Sequence, residues 1–113
     1  MSQPQSELTD VSAAPVFAAL GDATRLSLLS RLSDGRSQSI VQLTQGTGLT
    51  RQGVSKHLAI LEQARIISSQ RVGRESRFVV RPSTLAEAQR YLERASRQWD
   101  DAIARLQHLV DEE

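Results

Sequence analysis

The sequence contains no cysteine, and this absence removes several classes of chemistry at once. Disulfides, thiolate metal sites, iron–sulfur clusters and thiol redox sensing all need a cysteine sulfur. Histidine is scarce as well, with two residues in a chain of 113. No Ser/His/Asp set and no carboxylate pair occurs at a spacing typical of catalysis. The sequence therefore predicts a protein that is not an enzyme and that carries no cofactor.

Long apolar segments are also missing. No run approaches the roughly 20 apolar residues that span a bilayer. The first ten residues, MSQPQSELTD, lack the basic and then apolar pattern of a signal peptide. We therefore expect a cytoplasmic protein without membrane association. A length of 113 residues, with 39% hydrophobic and 24% charged side chains, suits one small domain.

The net charge of +1 is unevenly distributed along the chain. Residues 36–81 carry eight basic and two acidic side chains, which gives this middle third a charge of +6. The flanking segments, residues 1–35 and 82–113, carry −2 and −3. A basic segment between acidic flanks indicates a surface for a polyanion, with a merely basic solvated surface as the alternative.

Apolar periodicity predicts helices through the first half of the chain. The polar residues 1–12 are predicted to form a mobile tail, and a short helix begins at Ala14. Asp22, Ser39 and Thr50 each precede a further helical pattern. Their side-chain oxygens are suited to accept backbone N–H bonds from a first helical turn, so we predict three N-caps.

The third and fourth predicted helices meet at Gly46-Thr47-Gly48, a junction typical of a helix-turn-helix. In the fourth helix Val54, Leu58 and Leu61 have the spacing of a buried face. Gly53 costs about 1 kcal/mol in a helix interior, which indicates a close backbone approach to DNA or to the preceding helix. The first two turns offer side chains that suit base and phosphate contacts. These side chains are Arg51, Gln52, Ser55 and Lys56.

His57 lies beside the apolar face of the fourth helix rather than opposite it. Two interpretations stay open: a hydrogen bond to a neighbouring protein group, or a phosphate contact from the flank of the helix. A metal-ligand role is disfavoured because no second ligand follows at i+3 or i+4.

Two strands are predicted after the fourth helix, over residues 66–72 and 76–80. The glycine turn between them is expected to bring Arg71, Arg74 and Arg77 to one tip. Arginines at such a tip are suited to lie along phosphates or to enter the minor groove. The alternative is an edge hairpin whose charges oppose aggregation.

A last helix is predicted from Leu85 to about residue 110, capped by Ser83 or Thr84. Apolar side chains recur every seven residues along it, and small residues follow three positions later. Such a seam over about 39 Å of helix exceeds what a small domain covers. We expect the first half to pack on its own domain and the second half to dimerise, with a contribution from the N-terminal helix. The predicted dimer contacts are Leu92, Trp99, Ile103 and Leu106.

Three segments resemble the winged helix-turn-helix regulators of the ArsR type. They are FAALGDATRLSLLSRL (17–32), LTRQGVSKHLAILEQARII (49–67) and SSQRVGRESRFVV (68–80). The resemblance implies a homodimeric transcriptional regulator that binds an inverted-repeat operator. Carried over by position, it implies a set of DNA contacts on the fourth helix, with Arg74 at the wing tip. That set is Arg51, Gln52, Ser55, Lys56 and His57.

The chain departs from many ArsR-type relatives in its potential metal ligands. Thiolate sensing on the third helix is excluded because residues 37–44 hold no cysteine. The last helix has one histidine, His108, and Arg97 occupies the place where a paired ligand would be needed. We therefore predict no metal site, and interpret the acidic residues of this helix as a solvated face.

Together these observations predict a mainly α-helical winged helix-turn-helix with a small β-hairpin wing. The DNA-binding domain would span residues 13–82, and residues 83–113 would form the dimerisation helix. The predicted function is sequence-specific repression through operator DNA, with double-stranded DNA and a second copy as partners and no effector identified. The alternative is a winged-helix protein-interaction module, which salt-dependent DNA binding would distinguish.

Overall fold

The computed structural model describes residues 7–112, which form five helices and a small antiparallel sheet. The helices are α1 (Asp10–Leu20), α2 (Ala23–Arg31), α3 (Ile40–Thr44), α4 (Arg51–Gln63) and α5 (Pro82–Asp111). The strands are β1 (Gln38–Ser39), β2 (Ile67–Val72) and β3 (Glu75–Val80), in the order β1-β3-β2. The predicted fold class, helical with a hairpin wing, is confirmed. None of the described helices is both long and apolar enough to cross a membrane.

Strand β1 is the element that the sequence did not predict. Its two residues pair antiparallel with β3, Gln38 opposite Phe78 and Ser39 opposite Arg77. Ser39 also caps α3, because its Oγ accepts the backbone N–H of Gln42 at 3.2 Å. The same residue thus ends a strand and starts a helix, and it ties the wing directly to α3.

The core lies where α2, α3 and α4 meet the base of the wing. The face of α4 that was predicted to be buried is fully buried, through Val54, Leu58 and Leu61. The other fully buried large side chains come from α2, α3 and the start of β2; they are Leu28, Leu32, Leu43, Ile66 and Ile67. Packing of α4 on this core sets which of its faces remains outside.

Helix α1 begins at Asp10, inside the segment predicted to be a mobile tail and four residues before the predicted start. Thr9 and Ser12 form a capping box, in which each side chain accepts the other's backbone N–H. This cap starts the helix before Pro15, which therefore lies inside it. Residues 1–6 of the predicted tail lie outside the described residues.

Helix α5 also begins earlier than predicted, at Pro82 rather than Leu85. Proline fits the first helical position because its missing N–H would have no partner there. Neither Ser83 nor Thr84 is the N-cap, which is Arg81. Thr84 is buried instead, and its hydroxyl donates to the carbonyl of Arg65 at 2.5 Å. This bond holds the start of α5 to the end of α4.

The end of α4 is closed by a residue in the left-handed region. Arg65 has a φ of 62°, and no other non-glycine residue among those described has a positive φ. Its N–H donates to the Glu62 carbonyl, and that of Ile66 donates to the Leu61 carbonyl. These two bonds define a Schellman cap, a position where glycine is usual because a Cβ is disfavoured.

Replacing Arg65 with glycine should therefore stabilise the fold. Relief of the left-handed strain outweighs the added freedom of the unfolded chain, by about 0.5–1 kcal/mol. Urea unfolding at one fixed protein concentration measures the change. Arg65→Ala is the control, since it removes the guanidinium but keeps the Cβ, and it should bring no gain. Equal stability of the two variants would contradict the strain argument.

Candidate nucleic-acid interface

The helix-turn-helix consists of α3, a connection over residues 45–50, and α4. The connection extends on both sides of the predicted junction Gly46-Thr47-Gly48. Arg31 of α2 secures it by donating to the carbonyl of Leu43, at 3.2 Å, and to that of Gln45. Thr50 then starts α4 as predicted, because its Oγ1 accepts the N–H of Gly53 at 3.0 Å.

The first two turns of α4 present a polar face to solvent, opposite the buried stripe. Arginine and lysine match the acceptors on guanine, and glutamine matches the donor and acceptor of adenine. The side chains on this face that the structure leaves exposed are Arg51, Gln52, Ser55 and Lys56. The site residues predicted on this helix therefore lie together on one surface, with His57 at its flank.

Gly53 owes its place to the cap of its own helix. A Cβ added there would lie 3.3 Å from the Oγ1 of Thr50, tighter than most side-chain contacts. The nearest atom thus belongs to the N-cap that Gly53 itself bonds, and not to the preceding helix. Of the two explanations that the sequence suggested, the approach to α3 is wrong.

His57 is half-buried and contacts two side chains of the α2 start. Its Nδ1 lies 3.3 Å from the guanidinium Nη1 of Arg25 and 3.8 Å from the carboxylate of Asp22. Asp22 caps α2 as predicted, accepting the backbone N–H of Arg25 at 3.0 Å. That hydrogen bond lowers the pKa of Asp22 below its ordinary value. The interpretation of His57 as bonded to a protein neighbour is therefore confirmed.

Arg25 forms contacts at the flank of this surface that sequence reasoning missed. Its guanidinium donates to the carbonyls of Ala19, at 2.6 Å, and Ala18, at 3.3 Å, at the end of α1. One side chain thus joins the end of α1, the start of α2 and the flank of α4. The sequence carries no local signal for this, because Arg25 and His57 are 32 positions apart.

The wing is a tight hairpin with two of the three predicted arginines exposed. Val72 pairs with Glu75, so the turn consists of Gly73 and Arg74 alone. Gly73 has a φ of 63°, as the first position of a type II′ turn requires. Arg74 occupies the tip, and Arg71 follows along β2 with its side chain in solvent.

Arg77 does not belong to this tip, and the prediction that grouped it there is wrong. Its guanidinium donates to the Oγ and the carbonyl of Ser37, at 3.0 and 2.8 Å. It also pairs with Glu75 at 3.0 Å and reaches Gln42 at 3.4 Å. Arg77 therefore anchors the wing to the segment before α3, and four acceptor atoms on three residues already occupy donors of its guanidinium.

The distal half of α5 carries the residues predicted to form a dimer contact. Near its start, Leu85 packs against the core and Ala88 is buried. Beyond that point the apolar stripe leaves the domain, and Trp99 is 66% exposed. The other predicted contacts are exposed as well: Leu92, Ile103 and Leu106.

A polar contact that the sequence did not indicate joins α5 to the start of α1. The Tyr91 hydroxyl donates to the carboxylate of Asp10 at 2.6 Å, which raises the pKa of Tyr91. Arg94 donates to the carbonyl of Leu8 at 3.0 Å and lies over the Tyr91 ring. This contact orders the first described residues against α5.

Metal coordination finds no support among the described side chains. Within residues 7–112, no three His, Cys, Asp or Glu side chains come together as a metal site requires. His108 instead pairs with Glu112 at 3.0 Å on the exposed end of α5.

Two arginines, Arg77 within β3 and Arg74 in the turn before it, should separate the contribution of a side chain to folding from that of surface charge. Arg77→Ala removes bonds that hold the wing to Ser37, and should lower the free energy of unfolding by about 1–2 kcal/mol. Arg74→Ala, at the exposed tip, should change it by less than about 0.5 kcal/mol. Thermal or urea unfolding of both variants provides the comparison. Equal losses would contradict the anchoring role of Arg77.

Comparison with known proteins agrees with this geometry. A helix-turn-helix domain family matches residues 20–70. The chain is 30% identical over 97 residues to the HTH-type transcriptional regulator Rv2034 of Mycobacterium tuberculosis, covering 86% of this chain and 87% of that protein.

Solved structures show the same architecture. An ArsR-like transcriptional regulator from Rhodococcus sp. RHA1 matches with a TM-score of 0.74 and 35% identity, covering 88% of this chain and 92% of that one. A homodimeric winged helix-turn-helix DNA-binding domain from Mycobacterium bovis matches at 0.63 and 18% identity, covering 80% and 90% of the two chains. The exposed polar face of α4, the hairpin wing and these relatives together show that the chain belongs to the ArsR-type winged helix-turn-helix transcriptional regulators.

Proposed function

We propose that this DNA-binding transcriptional regulator acts in the cytoplasm as a homodimeric repressor of an inverted-repeat operator. One observation supports the proposal: the first two turns of α4 expose polar side chains that are suited to base contacts, opposite a fully buried stripe. Such a helix is suited to enter the major groove with its N-terminal residues against base edges. Repression follows if the occupied operator overlaps the start of a gene.

We assign base reading to α4 and phosphate binding to the wing. Arg51 and Gln52 lie in the first turn of α4, and we assign them to base edges together with Ser55 and Lys56. Arg71 and Arg74 on the wing are assigned to phosphates, where contacts fix register without reading sequence. Arg77 is left out of this set because the protein already occupies its donors.

Dimerisation is assigned to the distal half of α5. A helix that leaves its domain with Trp99 and Leu106 in solvent needs a partner surface, because large exposed apolar stripes mark interaction sites. The Mycobacterium bovis relative is homodimeric. Two copies related by a two-fold axis would place their α4 helices in successive major grooves about 34 Å apart.

An apolar groove beside the α5 stripe supports the same arrangement. It has a volume of about 1040 Å³ and lies between α2, the end of β3 and the start of α5. Leu26, Leu29 and Val80 line it together with Leu85, the first residue of the apolar stripe on α5. Because groove and stripe are continuous at Leu85, we assign the second copy as the occupant of both.

Selection from a pool of randomised duplexes tests the proposed function. The expected product is an inverted repeat whose half-sites lie about one helical turn apart. An unenriched pool, with weak binding to every duplex, would contradict sequence-specific recognition. Absence of binding at low salt would favour a protein-interaction module.

On the selected operator, Gln52→Ala should weaken binding by about 1–3 kcal/mol and relax the preference at one base pair. Gln63→Ala is the matched control, because Gln63 is the same residue type, also exposed, in the last turn of α4. Competition titrations with single-base operator variants provide the readout. An equal effect of the two substitutions would contradict base reading by the first turn.

Loss of the Trp99 side chain should weaken the dimer by about 2 kcal/mol, roughly thirtyfold in dissociation constant. Trp99 is 66% exposed in the single chain, so Trp99→Ala should leave the monomer fold intact. Arg97→Ala, on the opposite face of α5, serves as the control. Sedimentation at micromolar concentrations measures both, and an unchanged Trp99→Ala dimer would refute this seam.

A further inference from the structure

We propose that Arg25 is a positioning residue that holds His57 in one tautomer, so that the Nε2–H of His57 donates to a DNA phosphate. This inference rests on the proposed DNA-binding function and deepens it. It names Nε2 as the atom of His57 that contacts DNA. It also gives α2, the helix that carries Arg25, a role in DNA binding.

The tautomer follows from the chemistry of the two groups. Arg25 Nη1 lies 3.3 Å from His57 Nδ1, and a guanidinium can only donate. Nδ1 must therefore accept, which means that it carries no proton. The proton of the neutral ring then resides on Nε2. A protonated ring would instead point a second N–H at the guanidinium, with the Asp22 carboxylate farther away at 3.8 Å.

Arg25 is held rigidly enough to impose this choice. Its Nε and Nη2 donate to the carbonyls of Ala19 and Ala18, which fix the plane of the guanidinium at the end of α1. Its backbone is fixed as well, because its N–H donates to the cap residue Asp22. The position of His57 is thus set from two helices other than its own.

The opposite edge of the imidazole, which carries Nε2, makes no hydrogen bond to the described residues. The His57 side chain is 26% exposed, and no residue among 7–112 accepts a hydrogen bond from its Nε2. His57 follows Lys56 on the exposed face and lies at the border with the buried stripe. A helix seated in the major groove brings this border towards the sugar–phosphate backbone, where a neutral N–H donor finds a phosphate oxygen.

Two amide substitutions separate the roles of the two ring nitrogens. In His57→Gln, the amide nitrogen lies near the position of Nε2 and can donate to the phosphate. In His57→Asn, the amide lies near the position of Nδ1, where it can accept a hydrogen bond from Arg25 but cannot reach the phosphate. On the selected operator, His57→Gln should bind about tenfold more tightly than His57→Asn, the effect of one hydrogen bond to a charged group. If His57 only contacts Arg25 and supports the fold, His57→Asn should bind the operator more tightly than His57→Gln.

The tautomer is measured on the free protein. Two-bond couplings in a ¹⁵N spectrum, recorded above the titration range of histidine, should show His57 protonated at Nε2 and not at Nδ1. In Arg25→Gln, whose amide can donate or accept, the ring should no longer be restricted to that form. A ring protonated at Nδ1, or an unchanged ring in Arg25→Gln, would overturn the positioning role.

The two tests fail in distinguishable ways. If the wild-type protein binds no duplex, the proposed function is contradicted. The tautomer measurement still tests the effect of Arg25 on His57, because it uses the free protein. If the wild type binds its operator and His57→Asn binds at least as tightly as His57→Gln, only the phosphate contact is overturned.

Discussion

The burial of one face of α4 is the constraint on which the interface depends. Val54, Leu58 and Leu61 are fully buried, and each such side chain contributes about 1.5–3 kcal/mol. Successive side chains of a helix are rotated by about 100°, so burial of this stripe fixes the rotation of α4 about its own axis. Rotating α4 to present other residues would expose these three side chains. The core thus decides which polar residues of α4 face solvent and form the proposed DNA-reading surface.

Hydrogen bonds from arginine side chains connect the elements next to α4. Arg25 joins α1 to the flank of α4, Arg31 fixes the turn before α4, and Arg77 ties the wing to Ser37. Each donates to main-chain carbonyls, and the planar, multi-donor guanidinium suits this task. Of these three, Arg77 belongs to the basic segment of residues 36–81, so part of the charge of that segment serves the fold rather than phosphate binding.

Sequence patterns predicted those features that depend on near neighbours. The caps at Asp22, Ser39 and Thr50 and the wing hairpin follow from local hydrogen bonding and periodicity, and the structure has them. The start of α1 was misplaced because the capping box of Thr9 and Ser12 lies in a polar segment that was interpreted as a tail. Strand β1 and the contacts of Arg25 and Arg77 depend on residues about 30 to 40 positions apart, which only the packed structure brings together.

Recognition of specific DNA by the exposed face of α4 is the central claim, and one titration tests it most directly. Purified protein is titrated with the DNA upstream of its own coding region, at two salt concentrations and with unrelated DNA as competitor. We expect tight binding that resists the competitor and weakens steeply with salt, because phosphate contacts release counterions. No binding to either DNA at low salt would contradict it.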